Sequence, residues 1–361
     1  MSELSSYHEN GLKKARETGL ELGLDALLVS DLPNVRRLCG FTGSNGLLLI
    51  DAGEAVLFTD SRYTLQAGEE THGVTVAEEK DLLLAALARA KTLGAKRIGF
   101  EGDDLTFGSW LRLSESGGGL ELVDLKSRIS LIRAVKSPFE LEKMREASAL
   151  SEEAFLATTP LLRPGKSERE AARSYLMEVV KRGAAPAFDT IVAGGPRGAL
   201  PHAKPGERTF ENGDLVVFDF GVLLDGFCSD ETVTACIGKI EGEARLVYET
   251  VAKAQIGALN SIRAGISLAD IDKAARATIE EAGYGGFFGH GTGHGIGFMV
   301  HETPSVSPRS EGVAEAGMTF TVEPGVYLPG RFGVRLEDTI VVTQDGFDYI
   351  TRLSKEPGAY S

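Results

Sequence analysis

A buried strand that ends in an acidic residue, followed by a hairpin that leads to a second one, constrains this chain most strongly. Leu215–Phe218 is a run of four apolar residues, which predicts a buried strand, and Asp219 follows it at once. Asp225-Gly226, a strong two-residue hairpin signal, then precedes Asp230. We expect the hairpin to return Asp230 beside Asp219. An acid in such a place must be paired, protonated or bound to a metal, because an unpaired buried charge is costly.

Three further candidate metal ligands lie downstream in similar sequence contexts. His294 lies in the glycine-rich segment His290–Gly297, where glycines permit close backbone approach and positive φ angles. Glu323 and Glu337 stand beside β-branched and large apolar residues in alternation, the pattern of strands with one buried face. The candidate ligands are therefore Asp219, Asp230, His294, Glu323 and Glu337. All of them fall on strands or adjacent loops, which are rigid supports for a functional site.

The residue types in this set indicate the metal. Carboxylate oxygens are hard donors, and four of them with one imidazole suit two divalent ions. Mn²⁺ is expected first, with Co²⁺ or Zn²⁺ as substitutes. The histidines point the same way, because the chain has six and most lie in the half that holds the acids: His202, His290, His294 and His301. A single histidine is more often structural, but this combination disfavours that interpretation.

The order Asp, Asp, His, Glu, Glu, with the His290–Gly297 motif and Glu323-Pro324-Gly325, resembles the metallopeptidase family of methionine aminopeptidase, aminopeptidase P and prolidase. The resemblance implies the α/β "pita-bread" fold. It narrows to the Xaa-Pro branch because four residues match its accessory positions: His202, His290, His301 and Arg335. The segment 133–140 also resembles the helix that opens the catalytic domain in that branch. All five ligands are present, which argues against creatinases and against non-catalytic relatives.

The resemblance also implies how the metals are held. Asp219 would chelate one ion, and His294 with Glu323 would hold the other. Asp230 and Glu337 would bridge the two. A hydroxide bound between the ions would be the nucleophile, since two such metals ionise water near neutral pH.

The remaining roles concern catalysis and the substrate. Glu323 would shuttle protons, and His301 would stabilise the oxyanion or hold the scissile carbonyl, a task for a preorganised donor. His202 is a third predicted catalytic residue, beside Glu323 and His301. It would also line the prolyl pocket together with His290. Arg335 would orient His301 or the metal ligands. Phe188 is either an apolar wall of that pocket or a core aromatic.

The length of 361 residues predicts two domains. We expect a small creatinase-like α/β domain over 1–126, a linker over 127–137 and the catalytic domain over 138–361. In the first domain the pattern predicts helices over 7–23 and from residue 82, and strands over 25–29, 46–50, 55–59, 97–100 and 120–123. In the second it predicts helices over 139–158, 167–182, 243–264 and 268–282, with a capping box from Ser167 to Glu170. Arg36, Arg37 and Arg62 are either solvated or meet a substrate carboxylate, on this chain or on a partner subunit.

Charge and hydropathy exclude other classes of partner. The net charge of −14 argues against nucleic acid, which would need a basic patch. The chain contains no run of eighteen apolar residues, and Met1–Ser5 does not resemble a signal peptide, so we expect a cytoplasmic protein without membrane contact. The three cysteines make no framework or metal pair and suit reduced thiols.

The expected substrates are proline-containing peptides. An Xaa-Pro bond lacks an N–H, so a peptidase that needs that donor cannot bind it. The resemblance of the first domain favours an aminopeptidase P, which leaves the C-terminal side of the substrate open. The alternative is a prolidase, which cleaves dipeptides and clamps or blocks that side. A non-catalytic binding or scaffold protein is the remaining alternative. The family is usually homodimeric.

Overall fold

The computed structural model describes residues 3–360, which form two compact units. The first ends at Arg133 and the second begins at Ala134. Met1 and Ser2, on which part of the signal-peptide argument rests, and Ser361 lie outside the described residues. The predicted domain bounds of 126 and 138 stay predictions, and a helix, Arg128–Ala134, occupies much of the stretch between them. Within the described range no helix is both long and apolar enough to cross a membrane.

A six-stranded mixed sheet forms the centre of the first unit. Its strands are β1 (Ala26–Val29), β2 (Gly46–Asp51), β3 (Ala55–Thr59), β4 (Thr75–Glu78), β5 (Arg97–Phe100) and β6 (Glu121–Asp124). They lie in the order β4-β3-β2-β1-β5-β6. Alternate residues of β1 pack into two different apolar clusters, so both faces of the sheet are covered. This explains why β1 is apolar at every position.

The helices of the first unit are α1 (Glu3–Glu21), α2 (Leu32–Cys39), α3 (Thr64–Glu70), α4 (Leu82–Thr92), α5 (Phe107–Ser116) and α6 (Arg128–Ala134). The five predicted strands and the two predicted helices are confirmed. The elements that were not predicted are short, and the edge strand β4 has no fully buried residue to mark it.

One of the three arginines considered for substrate binding has a structural task in this unit. Arg37 is buried, its guanidinium lies 3.9 Å from the centre of the Tyr7 ring, and it donates to the Tyr7 carbonyl. It therefore packs α2 against α1. Arg62 binds Asp60, two residues away. The hypothesis of a carboxylate-binding arginine thus remains a prediction for Arg36 and Arg62 and loses support for Arg37.

Four helices belong to the second unit: α7 (Pro138–Thr158), α8 (Glu168–Lys181), α9 (Gly242–Ser261) and α10 (Leu268–Glu281). The four predicted helices are confirmed to within a few residues. Ser167 caps α8 by accepting from the Glu170 amide while the Glu170 side chain accepts from the Ser167 amide, so the predicted capping box is present. Ser137 and Glu140 make the same arrangement at the start of α7.

The strands of the second unit are β7 (Ala185–Pro186), β8 (Ile191–Gly194), β9 (Leu215–Phe220), β10 (Val222–Leu224), β11 (Phe227–Cys228), β12 (Glu231–Cys236), β13 (Gly293–Gly295), β14 (Glu302–Val306), β15 (Thr319–Val322), β16 (Gly325–Leu328), β17 (Phe332–Arg335), β18 (Asp338–Val342) and β19 (Phe347–Tyr349). We call β12-β9-β8 the first sheet and β14-β13-β15-β18-β19 the second sheet. Two smaller sheets, β11-β10-β7 and β16-β17, accompany them.

Each main sheet of this unit packs against one pair of helices. The aromatic side chains Phe155 and Tyr175 of α7 and α8 meet Phe218 and Phe220 of the first sheet. Apolar residues of α9 and α10 form another cluster with the second sheet. The unit therefore consists of two helix-covered sheets, and the polar residues of interest lie where these sheets meet.

The predicted hairpin between the two aspartates is confirmed. Asp225 and Gly226 have φ angles of 50° and 79°, as the turn between β10 and β11 requires. Beyond this turn β12 returns antiparallel to β9, with Thr232 opposite Asp219. Asp230, which directly precedes β12, is thereby brought to the same end as Asp219.

The capping box of α8 can be tested by Ser167→Ala. The variant should lower the free energy of unfolding by about 1 kcal/mol, because a helix N–H loses its acceptor. The measurement is the denaturant midpoint of unfolding followed by far-UV circular dichroism. Ser174→Ala, inside the same helix, is the control and should be neutral or slightly stabilising, since alanine is the better helix former. Equal midpoints for the two variants would contradict the capping role.

Candidate metal centre

The five predicted ligands meet at the seam between the two main sheets. Asp219 lies on β9 and Asp230 directly precedes β12, both of the first sheet. The other three belong to the second sheet or its connections: His294 in β13, Glu323 just after β15, and Glu337 between β17 and β18. The site thus depends on how the two sheets are held together.

The distances within this group suit a metal centre. Asp230, His294 and Glu337 each offer a ligand atom, and these atoms lie within 4.8 Å of one another. His294 Nε2 lies 3.3 Å from Glu323 Oε1 and 3.6 Å from Asp230 Oδ2. Asp219 Oδ1 is buried and has no hydrogen-bond partner within the described residues. A buried carboxylate oxygen without a donor fits a position that faces a cation.

Hydrogen bonds orient three of the carboxylates while leaving an oxygen on each for a metal. Thr232 Oγ1 donates to Glu337 Oε2 at 2.6 Å, and Thr321 Oγ1 donates to Glu323 Oε1 at 3.1 Å. Arg335 donates to Asp219 Oδ2. Such partners fix the direction of a ligand and tune its basicity.

Burial and mutual repulsion perturb the acids. Burial, and then the neighbouring carboxylates, raise the pKa of Asp230 and of Glu337 well above the usual range. Burial is also the main reason that the pKa of Glu323 rises to about 7. Like charges this close disfavour ionisation, and divalent cations between them would remove the repulsion. The donor set and its electrostatics therefore both fit two dications.

The tautomer of His294 directs one nitrogen to the acids. Its Nδ1 lies 3.1 Å from the Gly295 carbonyl oxygen, which can only accept, so Nδ1 carries the proton. Burial lowers the pKa of His294, so the ring is neutral. The Nε2 lone pair consequently faces Asp230 and Glu323, as a metal ligand requires.

Arg335 is the hub of the polar network around the ligands. Besides Asp219, its guanidinium donates to Thr232 Oγ1 at 3.1 Å and thus reaches Glu337 through that hydroxyl. It also donates to the Tyr327 hydroxyl at 2.9 Å. The predicted role of Arg335, to orient His301 or the metal ligands, stays a prediction, and its direct contact with a candidate ligand is the one with Asp219.

Tyr327 extends this network to His290. The Tyr327 hydroxyl lies 2.9 Å from His290 Nε2, and His290 Nδ1 lies 2.8 Å from the Gly291 carbonyl. Burial lowers the pKa of His290 to about 4, so the ring is neutral and donates through Nδ1 to the carbonyl. Nε2 therefore accepts from Tyr327, and neither ring nitrogen is left for another group.

A cavity of about 850 Å³ opens in front of the ligands. Each of the five ligands lines it, as do the accessory residues His202, His290, His301 and Arg335. The His301 ring centre lies 4.2 Å from that of His294, and burial lowers the pKa of His301. Phe188 also lines this cavity, which supports the interpretation of an apolar wall.

Comparison with known proteins identifies the family. A model described as metallopeptidase family M24 matches residues 142–344, and one described as the creatinase/prolidase N-terminal domain matches residues 12–135. The chain belongs to metallopeptidase family M24.

This chain is similar to individual relatives over nearly its whole length. It is 35% identical to an Xaa-Pro dipeptidase of Pyrococcus horikoshii, over 96% of this chain and 97% of the relative. The structure of an Xaa-Pro dipeptidase from Bacillus anthracis gives a TM-score of 0.92 at 36% identity, covering 97% and 99% of the two chains. An X-Pro aminopeptidase structure from Thermotoga maritima gives 0.85 at 37% identity, covering 96% and 98%.

These findings confirm the predicted family, the α/β class with a creatinase-like first domain and a pita-bread second domain, and a peptidase at the level of the family. Divalent metals are implied by the family and agree with the ligand cluster. The roles of individual residues stay predictions.

The glycines of the M24 histidine motif serve close approach rather than unusual backbone angles. A Cβ on Gly293 would lie 1.8 Å from the Thr321 carbonyl oxygen, and one on Gly295 would lie 2.4 Å from that of Thr303. Neither glycine has a positive φ, so the expectation of positive φ in this motif is wrong for both. Tight packing of β13 between β14 and β15 is the physical reason.

Tyr327 and Thr232, like Thr321, are hydrogen-bonding residues around the candidate ligands that were not predicted. Tyr327 occupies an ordinary apolar position of β16, and Thr232 an ordinary β-branched position of β12. Gly325, opposite Arg335 in the hairpin, leaves room for the Tyr327 hydroxyl, since a Cβ there would lie 2.7 Å from it. No pattern in the sequence marks Tyr327 or Thr232.

Close packing around His294 can be tested by Gly293→Ala. The added methyl overlaps the Thr321 carbonyl, so β13 must shift and carry His294 with it. We expect a fall of several degrees in the melting temperature and weaker Mn²⁺ binding, measured by calorimetry on metal-stripped protein. Gly286→Ala is the matched control, since a Cβ there meets nothing within 4 Å. Unchanged Mn²⁺ binding in Gly293→Ala would contradict the argument.

Proposed function

We propose that this chain is an Xaa-Pro peptidase of the aminopeptidase P type, which hydrolyses the bond between an N-terminal residue and a following proline. The observation that carries the proposal is the environment of His290. Because both of its ring nitrogens are engaged within the protein, it presents carbon atoms to the cavity. Phe188 and Ile191 line the same cavity, and apolar groups of this kind suit a prolyl ring, which has no N–H to donate.

We propose two Mn²⁺ ions as the cofactor, with Co²⁺ or Zn²⁺ as substitutes. Asp219 would bind one ion, His294 and Glu323 the other, and the remaining two ligands, Asp230 and Glu337, would bridge. When bound, the two ions supply a water that ionises near neutral pH.

The protein side chains would then position the substrate and relay protons. Glu323 lies 3.3 Å from His294 and is held by Thr321, as a residue that takes and returns a proton must be. His301 lines the cavity beside His294, and its ring has no hydrogen bond within residues 3–360. It is free to donate to the scissile carbonyl as charge develops there. His202 lines the same cavity from the segment between β8 and β9 and would contact the substrate.

The length of the preferred substrate distinguishes an aminopeptidase P from a dipeptidase. The resemblance of the first domain favours an aminopeptidase P, and a cavity of about 850 Å³ gives room for a peptide. The dipeptidase alternative is favoured by the names of two relatives, from Pyrococcus horikoshii and Bacillus anthracis. The cytoplasmic location and the homodimer stay predictions from the sequence and the family resemblance.

Two substitutions separate metal binding from turnover. Asp230→Ala should lose Mn²⁺ and activity together, because Asp230 would hold both ions. His301→Ala should retain Mn²⁺ and lower kcat by about 100-fold or more, as removal of an oxyanion donor does. Calorimetric Mn²⁺ titration and steady-state hydrolysis of Ala-Pro-Ala measure the two effects. His72→Ala, in the first unit, is the control. A nearly full rate in His301→Ala would exclude its proposed role.

The substrate class is tested by incubating metal-stripped protein with Ala-Pro, Ala-Pro-Ala and Ala-Ala-Ala, with and without Mn²⁺, and following released alanine. We expect Mn²⁺-dependent cleavage of Ala-Pro-Ala and none of Ala-Ala-Ala. Cleavage of Ala-Pro alone would establish the dipeptidase alternative. If no peptide were cut under any divalent metal, a non-catalytic binding protein would be the better interpretation.

A further inference from the structure

The two bridging ligands are each followed by a second buried acid that the chemistry above does not use. Glu231 comes after Asp230, and Asp338 comes after Glu337. Successive side chains along a strand face opposite sides. Accordingly, the two ligands line the large cavity, whereas Glu231 and Asp338 do not. We call the side occupied by Glu231 and Asp338 the far face.

Lys355 joins these two acids across the seam. Its buried ammonium lies 2.5 Å from Glu231 Oε1 and 3.2 Å from Asp338 Oδ1. Glu231 begins β12 of the first sheet, and Asp338 begins β18 of the second. Both distances lie within the range of a direct polar contact, and Glu231 and Asp338 are buried. One side chain from the C-terminal segment thus connects both sheets.

Neighbouring hydrogen bonds extend the far-face network to a third ligand. Gln255 Nε2 donates to Asp338 Oδ2 at 2.9 Å and to the Val322 carbonyl at 3.3 Å. Val322 directly precedes Glu323. Thr351 Oγ1 also donates to Asp338 Oδ1 at 2.9 Å. The far-face network therefore holds residues adjacent to three of the five ligands.

The seam needs such a connection because its cavity side carries like charges that repel. Direct hydrogen bonds across it exist, from Thr339 Oγ1 to the Asp230 carbonyl at 2.8 Å and from the Glu337 amide to the Thr232 carbonyl at 3.1 Å. These fix the backbones where they cross. Lys355 adds a charged contact directly behind the bridging acids.

We propose that Lys355 is a positioning residue for the metal centre, holding Asp230 and Glu337 at their bridging separation by binding Glu231 and Asp338 on the far face. The inference rests on the proposed metal centre. It assigns Lys355 no contact with substrate or metal. Its effect should therefore show in the affinity and geometry of the bound ions.

The test compares Lys355→Met, Lys355→Arg and Lys253→Met with the wild-type chain. A second cavity, of about 770 Å³, is lined by Lys355, Asp338 and the exposed Lys253. Lys253 is therefore a matched control. Mn²⁺ affinity is measured by calorimetric titration of metal-stripped protein, and ligand geometry by the visible absorption spectrum of the Co²⁺-loaded form. Far-UV circular dichroism confirms the fold of each variant.

We expect Lys355→Met to weaken Mn²⁺ binding by about tenfold or more and to alter the Co²⁺ spectrum, as loss of an outer support of ligands does. The Mn²⁺ affinity of Lys355→Arg, which keeps the charge, should stay within about threefold of that of the wild type. The Mn²⁺ affinity of Lys253→Met should equal that of the wild type. Wild-type affinity and spectrum in Lys355→Met would overturn the proposal. So would a Lys355→Arg variant as weak as Lys355→Met.

A second variant covers the case in which Lys355→Met does not fold. Glu231→Gln weakens one of the two contacts of Lys355 while the contact with Asp338 remains, and it should weaken Mn²⁺ binding by about threefold to tenfold. Unchanged affinity there would overturn the proposal. Absence of Mn²⁺ binding in the wild-type chain would instead refute the proposed metal centre, and the inference with it.

Discussion

Mutual repulsion among buried carboxylates is the constraint on which the rest of the second unit depends. Asp230 and Glu337 are almost completely buried, and each has its pKa raised by burial and by the other acids around it. Such a group is stable only with cations, protons or donors close by. The strands must also hold the acids in place against that repulsion. Rigid sheets covered by helices meet this need better than loops would.

Arg335 offsets part of this repulsion in a way that a lysine would not. Its planar guanidinium offers donors in several fixed directions, and here they reach Asp219, Thr232 and Tyr327. One cation therefore balances a ligand charge, orients a second ligand through a hydroxyl and fixes the tautomer of His290 through a phenol. Because these contacts share one side chain, the candidate metal ligands and His290 are mechanically linked.

The sequence predicted what local pattern encodes. The strand before Asp219, the Asp225-Gly226 turn and the spacing of the capping box are local signals, and the structure contains each of them. The candidate ligands followed from such local contexts, and their assignment to individual metals came from the family resemblance. Short elements such as α2 and β4 escaped prediction because they contain too few residues to establish a period.

What could not be predicted joins residues distant in sequence. Thr232 donates to a ligand 105 positions away, and Lys355 binds an acid 124 positions away. No local pattern distinguishes either from a strand threonine or a surface lysine. The glycines around His294 show the complementary case, where the residue type was informative but the reason was close approach by Thr321 and Thr303 rather than backbone angle.

The two-residue period of a strand explains how one segment can serve chemistry and stability together. At Asp230-Glu231 and again at Glu337-Asp338, the first acid faces the cavity and the second faces away from it. Any shift of register would exchange the two members of each pair and carry a ligand to the far face. Paired acids on both strands therefore tie the fold to the site, because the hydrogen bonds and ion pairs that stabilise the far face hold only when the cavity side presents its ligands.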